Sequence, residues 1–167
     1  MITANTSPDA LLFNYTIRGP FDPVALCAPV MNPDATQMTL GQFNAASGQS
    51  AVKCINRGSH GVFAFSGLRP GGTYTVWILL FPVPGPPAGV GGIGRGSENN
   101  FTADANGEGQ IGRTTPAGDL SFFGSVGPCL LDSPFAIDLI YHSDQQSHGQ
   151  VPGALNTIVT NGRFVYP

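Results

Sequence analysis

The sequence predicts an all-β fold, a Greek-key β-sandwich in one domain over residues 1–167. Three observations predict it. Apolar residues recur with a period of two in short segments. The 23 glycines and 15 prolines are spread along the chain and cut it into strand-length pieces. A Leu-x-Pro-Gly turn, Leu68-Arg69-Pro70-Gly71, leads into a segment that opens on Tyr74.

The first strand is expected over 11–18. Leu11, Phe13, Tyr15 and Ile17 share one face, and Asn14, Thr16 and Arg18 share the other. Further strands are expected at 24–30, 50–55, 61–66, 73–81, 98–103, 108–113, 119–125, 136–142 and 154–166, the last broken at Asn161-Gly162. Between 34 and 46 two readings stand. Asp34 could cap a short helix carrying Met38 and Phe43, or a strand could run through Met38 and Leu40. No long amphipathic pattern exists, which argues against an α/β fold. Asp104-Ala105-Asn106-Gly107 reads as a tight hairpin, because Asn-Gly accepts positive φ angles. About 8–10 strands in all suit an immunoglobulin- or fibronectin-like sandwich or a jelly roll.

The segment around Tyr74 names the architecture. In Greek-key sandwiches a tyrosine at such a corner turns its hydroxyl back to the backbone a few residues upstream, pinning the crossover between sheets. The strand that begins there is apolar on both faces: Tyr74, Val76, Ile78 and Leu80 on one, Trp77, Leu79 and Phe81 on the other. A half-exposed strand would alternate, so something must cover the second face. Either the Pro- and Gly-rich loop at 82–97 folds over it, or a partner subunit does.

Only 10% of residues are charged, against roughly 25% in ordinary soluble domains. Such a surface suits a secreted protein, an assembly or a virion better than a crowded cytosol. The formal net charge is −3 and no basic cluster stands out, so nucleic acid is not an expected partner. No apolar run is long enough to span a bilayer as a helix. Residues 1–6 lack the basic and apolar regions of a signal peptide, so the expectation is a removed signal or delivery by assembly or lysis. Cys27, Cys54 and Cys129 are an odd number. A Cys27–Cys54 bridge between neighbouring strands is expected, with three buried thiols as the alternative.

Chemistry-bearing patterns are few. Gly89-Val90-Gly91-Gly92-Ile93-Gly94 fits a dinucleotide fingerprint, yet the segment after it, Glu98-Asn99-Asn100-Phe101-Thr102, is expected to be a strand and not the required helix. No serine sits in a Gly-x-Ser-x-Gly elbow, and no carboxylate pair stands out. Asp104-Ala105-Asn106-Gly107-Glu108 lacks the later bidentate Glu of a calcium loop. The best candidate is His142, Asp144 and His148. Two imidazoles and a carboxylate would take zinc or copper if the loop brought them together, with His60 as a fourth ligand. The bland alternative is a polar loop at a strand end.

The stretch Gly67-Leu68-Arg69-Pro70-Gly71-Gly72-Thr73-Tyr74-Thr75-Val76-Trp77, with Ser147-His148-Gly149-Gln150-Val151-Pro152-Gly153 some distance further on, resembles a group of small exported bacterial proteins. The hairpin Phe101-Thr102-Ala103-Asp104-Ala105-Asn106-Gly107 is similar too, so the resemblance covers roughly 61–153. It implies a β-sandwich and export, and supplies no activity. Those proteins often end in Gly-Gly-Cys and tend to carry cysteines in the Gly/Pro loop. This chain ends Arg163-Phe164-Val165-Tyr166-Pro167 and has none there, so no disulfide pairing carries over.

The expected function is structural and non-enzymatic, without a cofactor: a subunit of an extracellular filament, a coat or capsid decoration, or an adhesion surface. Copies would meet through the edge strands 11–18 or 154–166 and through 76–97, with Trp77, Leu79, Phe81, Leu11 and Phe13 as interface residues. The alternative is a hydrolase or redox protein built on the His/Asp loop. A carbohydrate-binding module stacking sugars on Trp77 ranks third.

Overall fold

The computed structural model describes residues 7–16, 26–56, 58–80, 89–93, 99–116, 129–132, 134–149, 151, 153–154 and 157–166. Among them are ten strands and one α-helix, the five-residue α1 at Leu40–Asn44. β3 (Ser47–Ile55), β4 (Gly58–Ser66) and β8 (Gly109–Pro116) form one antiparallel sheet in the order β3-β4-β8. The second sheet runs β10 (Ile158–Tyr166), β9 (Phe135–His142), β5 (Thr73–Leu80), β6 (Gly89–Gly92). β7 (Asn100–Thr102) pairs with the first half of β5 on the edge that β6 occupies further along. β1 (Phe13–Thr16) and β2 (Leu26–Pro29) make a separate two-stranded ribbon. This is the all-β, sandwich-like fold that the period-two segments predict.

One apolar core joins the sheets. Phe63, Phe65 and Ile111 meet the even residues Tyr74, Val76 and Ile78 of β5 and the odd residues Ile137 and Leu139 of β9. Phe101 links the layers, its ring stacked 5.6 Å from Phe65 and 5.6 Å from Tyr74. Tilted or offset stacks at such spacings add to the area that the rings bury.

The corner forms as its residues imply. Tyr74 Oη accepts the backbone N–H of Arg69 at 2.9 Å, just where the chain leaves β4 for β5 in the other sheet. Burial of the ring and hydroxyl pushes the Tyr74 phenol well above its ordinary range.

Several local expectations are corrected. Asp104-Ala105-Asn106-Gly107 turns the chain, but β7 and β8 belong to different sheets, so the turn is a crossover and not a hairpin. Its positive φ falls on Gly107 at +74° and not on Asn106, and a Cβ there would come within 2.4 Å of the Leu68 carbonyl oxygen. Asn161-Gly162 does not break the last strand; it is a bulge within β10, between Thr160 and Gly162. The helix starts at Thr39, whose hydroxyl accepts from Gln42 N while Gln42 returns its side chain to Thr39 N. Asp34 instead caps a turn through Thr36, and Met38 is buried ahead of the helix. β6 has no counterpart among the expected strands, because four residues with a single side-chain-bearing Val90 show no alternation. The strand expected at 119–125 lies outside the described residues.

The disulfide also differs from expectation. Cys54 bonds Cys129, with Cα atoms 5.5 Å apart, and Cys27 sits on β2 beside Tyr15. Cys27 and Cys54 are not on neighbouring strands, since β2 pairs with β1 and β3 pairs with β4. A 3₁₀ turn at Leu130–Asp132 holds Cys129 against β3 and β4 instead, with Leu130 N donating to Ser59 Oγ at 2.7 Å.

Candidate metal centre

The outer face of the β9-β5 sheet is buried within the chain. Thr75, Trp77 and Leu79 of β5 are 1%, 2% and 5% exposed, and Ala136, Asp138, Ile140 and His142 of β9 are 8% or less. The chain itself therefore covers this face, polar groups as well as apolar ones, and the partner expected over it is not needed. Trp77 and Leu79 offer no exposed surface to a partner, nor a platform for a sugar. Leu11 is 54% exposed. Phe13 lies on β1 with its side chain outside the described residues, and Phe81 lies outside them altogether.

His142 is the last residue of β9 and pairs with Thr73 of β5 and Ile158 of β10. Its Nε2 lies 2.8 Å from Thr75 Oγ1, and the same oxygen accepts the Trp77 indole N–H at 2.8 Å. Its Nδ1 is buried and has no hydrogen-bond partner among the described residues. Burial, with His148 adding to it, lowers the His142 pKa below the ordinary 6.5, against a smaller opposing pull from Asp144.

After His142 the chain turns sharply. Ser143 N donates to Thr157 O at 2.7 Å, and Gln145 adopts φ 57°. Gln145 is the anchor of this turn. Its Oε1 accepts Thr73 N at 3.0 Å and its Nε2 donates to Tyr141 Oη at 2.8 Å. Tyr141 Oη in turn donates to Met31 O at 2.6 Å, and burial pushes that phenol up to about 12. The turn throws Asp144 back over the strand end. Burial raises the Asp144 pKa, but hydrogen bonds from Gln146 N and from the His148 and Thr157 side chains outweigh it and leave the pKa below its usual value. Asp144 Oδ2 lies 3.2 Å from His148 Nε2.

His148 is the exposed member, with 32% of its side chain accessible. Gly153, at φ +98°, passes directly beneath it; a Cβ there would stand 2.5 Å from His148 Cδ2. Gly153 thus seats the imidazole against backbone. One potential ligand atom from each of His142, Asp144 and His148 lies within 4.8 Å of the other two.

His60 does not join them. It sits on β4 in the other sheet, its Nδ1 3.1 Å from Thr114 Oγ1. The Gly89–Gly92 stretch is a strand antiparallel to β5, not a phosphate-binding turn. Asp104 Oδ1 is occupied by the N–H groups of Asn106 and Glu108, as a turn requires. A groove of about 750 Å³ lies over β3, β4 and β8, lined by Ser47, Gln49, Phe65, Ser66, Asp104 and Glu108 among others; it contains none of the three clustered residues.

Sequence spacing found the three clustered residues but missed Thr75, Trp77 and Gln145, which position them. Alternation along β5 puts Thr75 and Trp77 on one face. Nothing in the sequence alone says that His142 arrives beside them. No model of a known protein family matches this chain, and no curated protein is significantly similar to it.

Proposed function

We propose that this protein is a non-enzymatic structural subunit of an extracellular filament, coat or particle surface, which joins its neighbours by adding strand to strand. The observation that carries the reading is β3. It is nine residues long, lies at the edge of its sheet among the described residues, and is nowhere fully buried. Natural proteins protect long edges with prolines, bulges or several charges. β3 has no proline, pairs with β4 without a register shift, and carries one charge, Lys53. Such an edge is a template for a further strand. β10 is the edge of the other sheet among the described residues, and its bulge between Thr160 and Gly162 leaves it better protected than β3.

Two features support a place outside the cytosol. A disulfide closes 75 residues of chain between Cys54 and Cys129, and disulfides persist in oxidising compartments. The sparse charge suits a surface that is mostly covered by neighbours.

Light scattering across a wide concentration range tests the reading. Wild-type protein forms oligomers or polymers as concentration rises. Ala51→Lys, at an exposed position on β3, adds a second edge charge and shifts assembly to higher concentration. A strict monomer at millimolar concentration rules the assembly reading out.

A further inference from the structure

The His142 imidazole raises a question that the assembly reading does not answer. Thr75 Oγ1 already accepts the Trp77 N–H, so it has one accepting position and one proton left for His142 Nε2. A neutral imidazole has two tautomers. If Nε2 carries the proton and donates to Thr75, then Nδ1 is a bare lone pair, buried without a donor. If Nδ1 carries it, a buried N–H points at no acceptor. Either way a polar atom is orphaned in a residue that is 0% exposed, and native proteins rarely leave such atoms unmatched.

We propose that His142, through Nδ1, together with Asp144 and His148, binds a divalent transition-metal ion of the zinc class. The donor set favours that class: imidazole nitrogens with one carboxylate suit zinc or copper, while calcium and magnesium demand shells of oxygen. The hydrogen bonding around it also fits. A ligating histidine donates its other ring N–H to an oxygen that fixes tautomer and orientation, and Thr75 is placed to accept it, itself held by Trp77. Asp144 has one oxygen held by Gln146 N and turns the other toward His148.

Distances decide how much must move. Bonds of about 2.0–2.2 Å place tetrahedral ligand atoms roughly 3.3–3.6 Å apart. One ligand atom from each residue lies within 4.8 Å of the other two, so closing the site takes at most about 1.5 Å of side-chain movement. His148 can supply it, being the exposed member on a loop that turns through Gly149 and Gly153 at φ +67° and +98°. Three protein ligands leave the solvent side of the ion open to water. The proposal is independent of strand addition at β3, which lies in the other sheet.

Titration of the full chain, purified without chelator and stripped by dialysis, tests it with Zn²⁺ and with Co²⁺ as the coloured probe. Wild-type protein takes up one equivalent and develops the visible absorption of low-coordinate cobalt. His148→Ala, an exposed change that leaves the fold intact, weakens Zn²⁺ binding by about tenfold or more, and Thr75→Val weakens it by about ten- to a hundredfold. His60→Gln binds as wild type. Nitrogen-15 NMR of the zinc form shows His142 protonated at Nε2 and shifted at Nδ1. No stoichiometric uptake, or undiminished uptake by His148→Ala, overturns the site. A zinc-linked shift at His142 Nε2 instead overturns the assignment of Nδ1.

Discussion

β9 and β3 are strands of eight and nine residues in the same sandwich, and they live in opposite environments. Every residue of β9 is buried, including Asp138 and His142. No residue of β3 is, though it carries Val52, Cys54 and Ile55. Composition does not explain the contrast; position in the sheet does. β9 is flanked by β5 and β10 and has one face on the central core and the other on the second buried face of its sheet. Among the described residues β3 has a strand on one side only, and of its residues Val52 touches the core. Asp138 and His142 are therefore held in the interior, where burial lowers the His142 pKa and orphans its ring nitrogen, while apolar groups stand where a neighbour could reach them.

The sharpest way to break that comparison is to truncate both strands. Leu139→Ala, on β9 and 0% exposed, should lower unfolding free energy by about 2–5 kcal/mol in urea denaturation. Val52→Ala on β3 should lower it by about 1 kcal/mol or less. Equal losses would mean that the two strands do not differ as their burial indicates.

The crossover joining the two sheets comes next in size. Tyr74→Phe keeps the ring in the core but leaves the Arg69 N–H without its acceptor, so a loss of about 1–3 kcal/mol is expected. A thermal midpoint unchanged from wild type would show that the hydroxyl does not pin the corner.

The smallest effect is a pH dependence. His142 has its folded-state pKa below the ordinary 6.5, chiefly through burial. The unfolded chain therefore takes up a proton that the folded chain resists, and stability falls as pH drops below about 6.5. Measured with EDTA present, His142→Gln should flatten that part of the profile; an identical slope in the variant would remove His142 as its source.

The features legible in the sequence are local ones. The tyrosine corner joins residues only five apart, so its geometry is written in Leu68-Arg69-Pro70-Gly71-Gly72-Thr73-Tyr74. The Thr39 capping box is equally local, a Thr three residues before Gln42, and is a better signal than Asp34. The turn at Asp104-Ala105-Asn106-Gly107 is visible too, but a turn signal does not say whether the strands it joins pair with each other or part. Asn161-Gly162 shows the same limit, since the residues that make a hairpin also make a bulge when a long partner strand such as β9 continues past them.

By itself, then, the sequence determined the strands that show alternation, the corner between sheets, and the three side chains that could meet an ion. These arise from alternation, turn chemistry and short spacing, which act over a few residues. Only the tertiary structure decided that Cys129 and not Cys27 reaches Cys54, that Trp77 and Leu79 turn inward, and that Thr75 meets His142 across 67 residues of chain. Those outcomes depend on which strands become neighbours. That choice is made by the burial of the whole core at once, so no local pattern carries it.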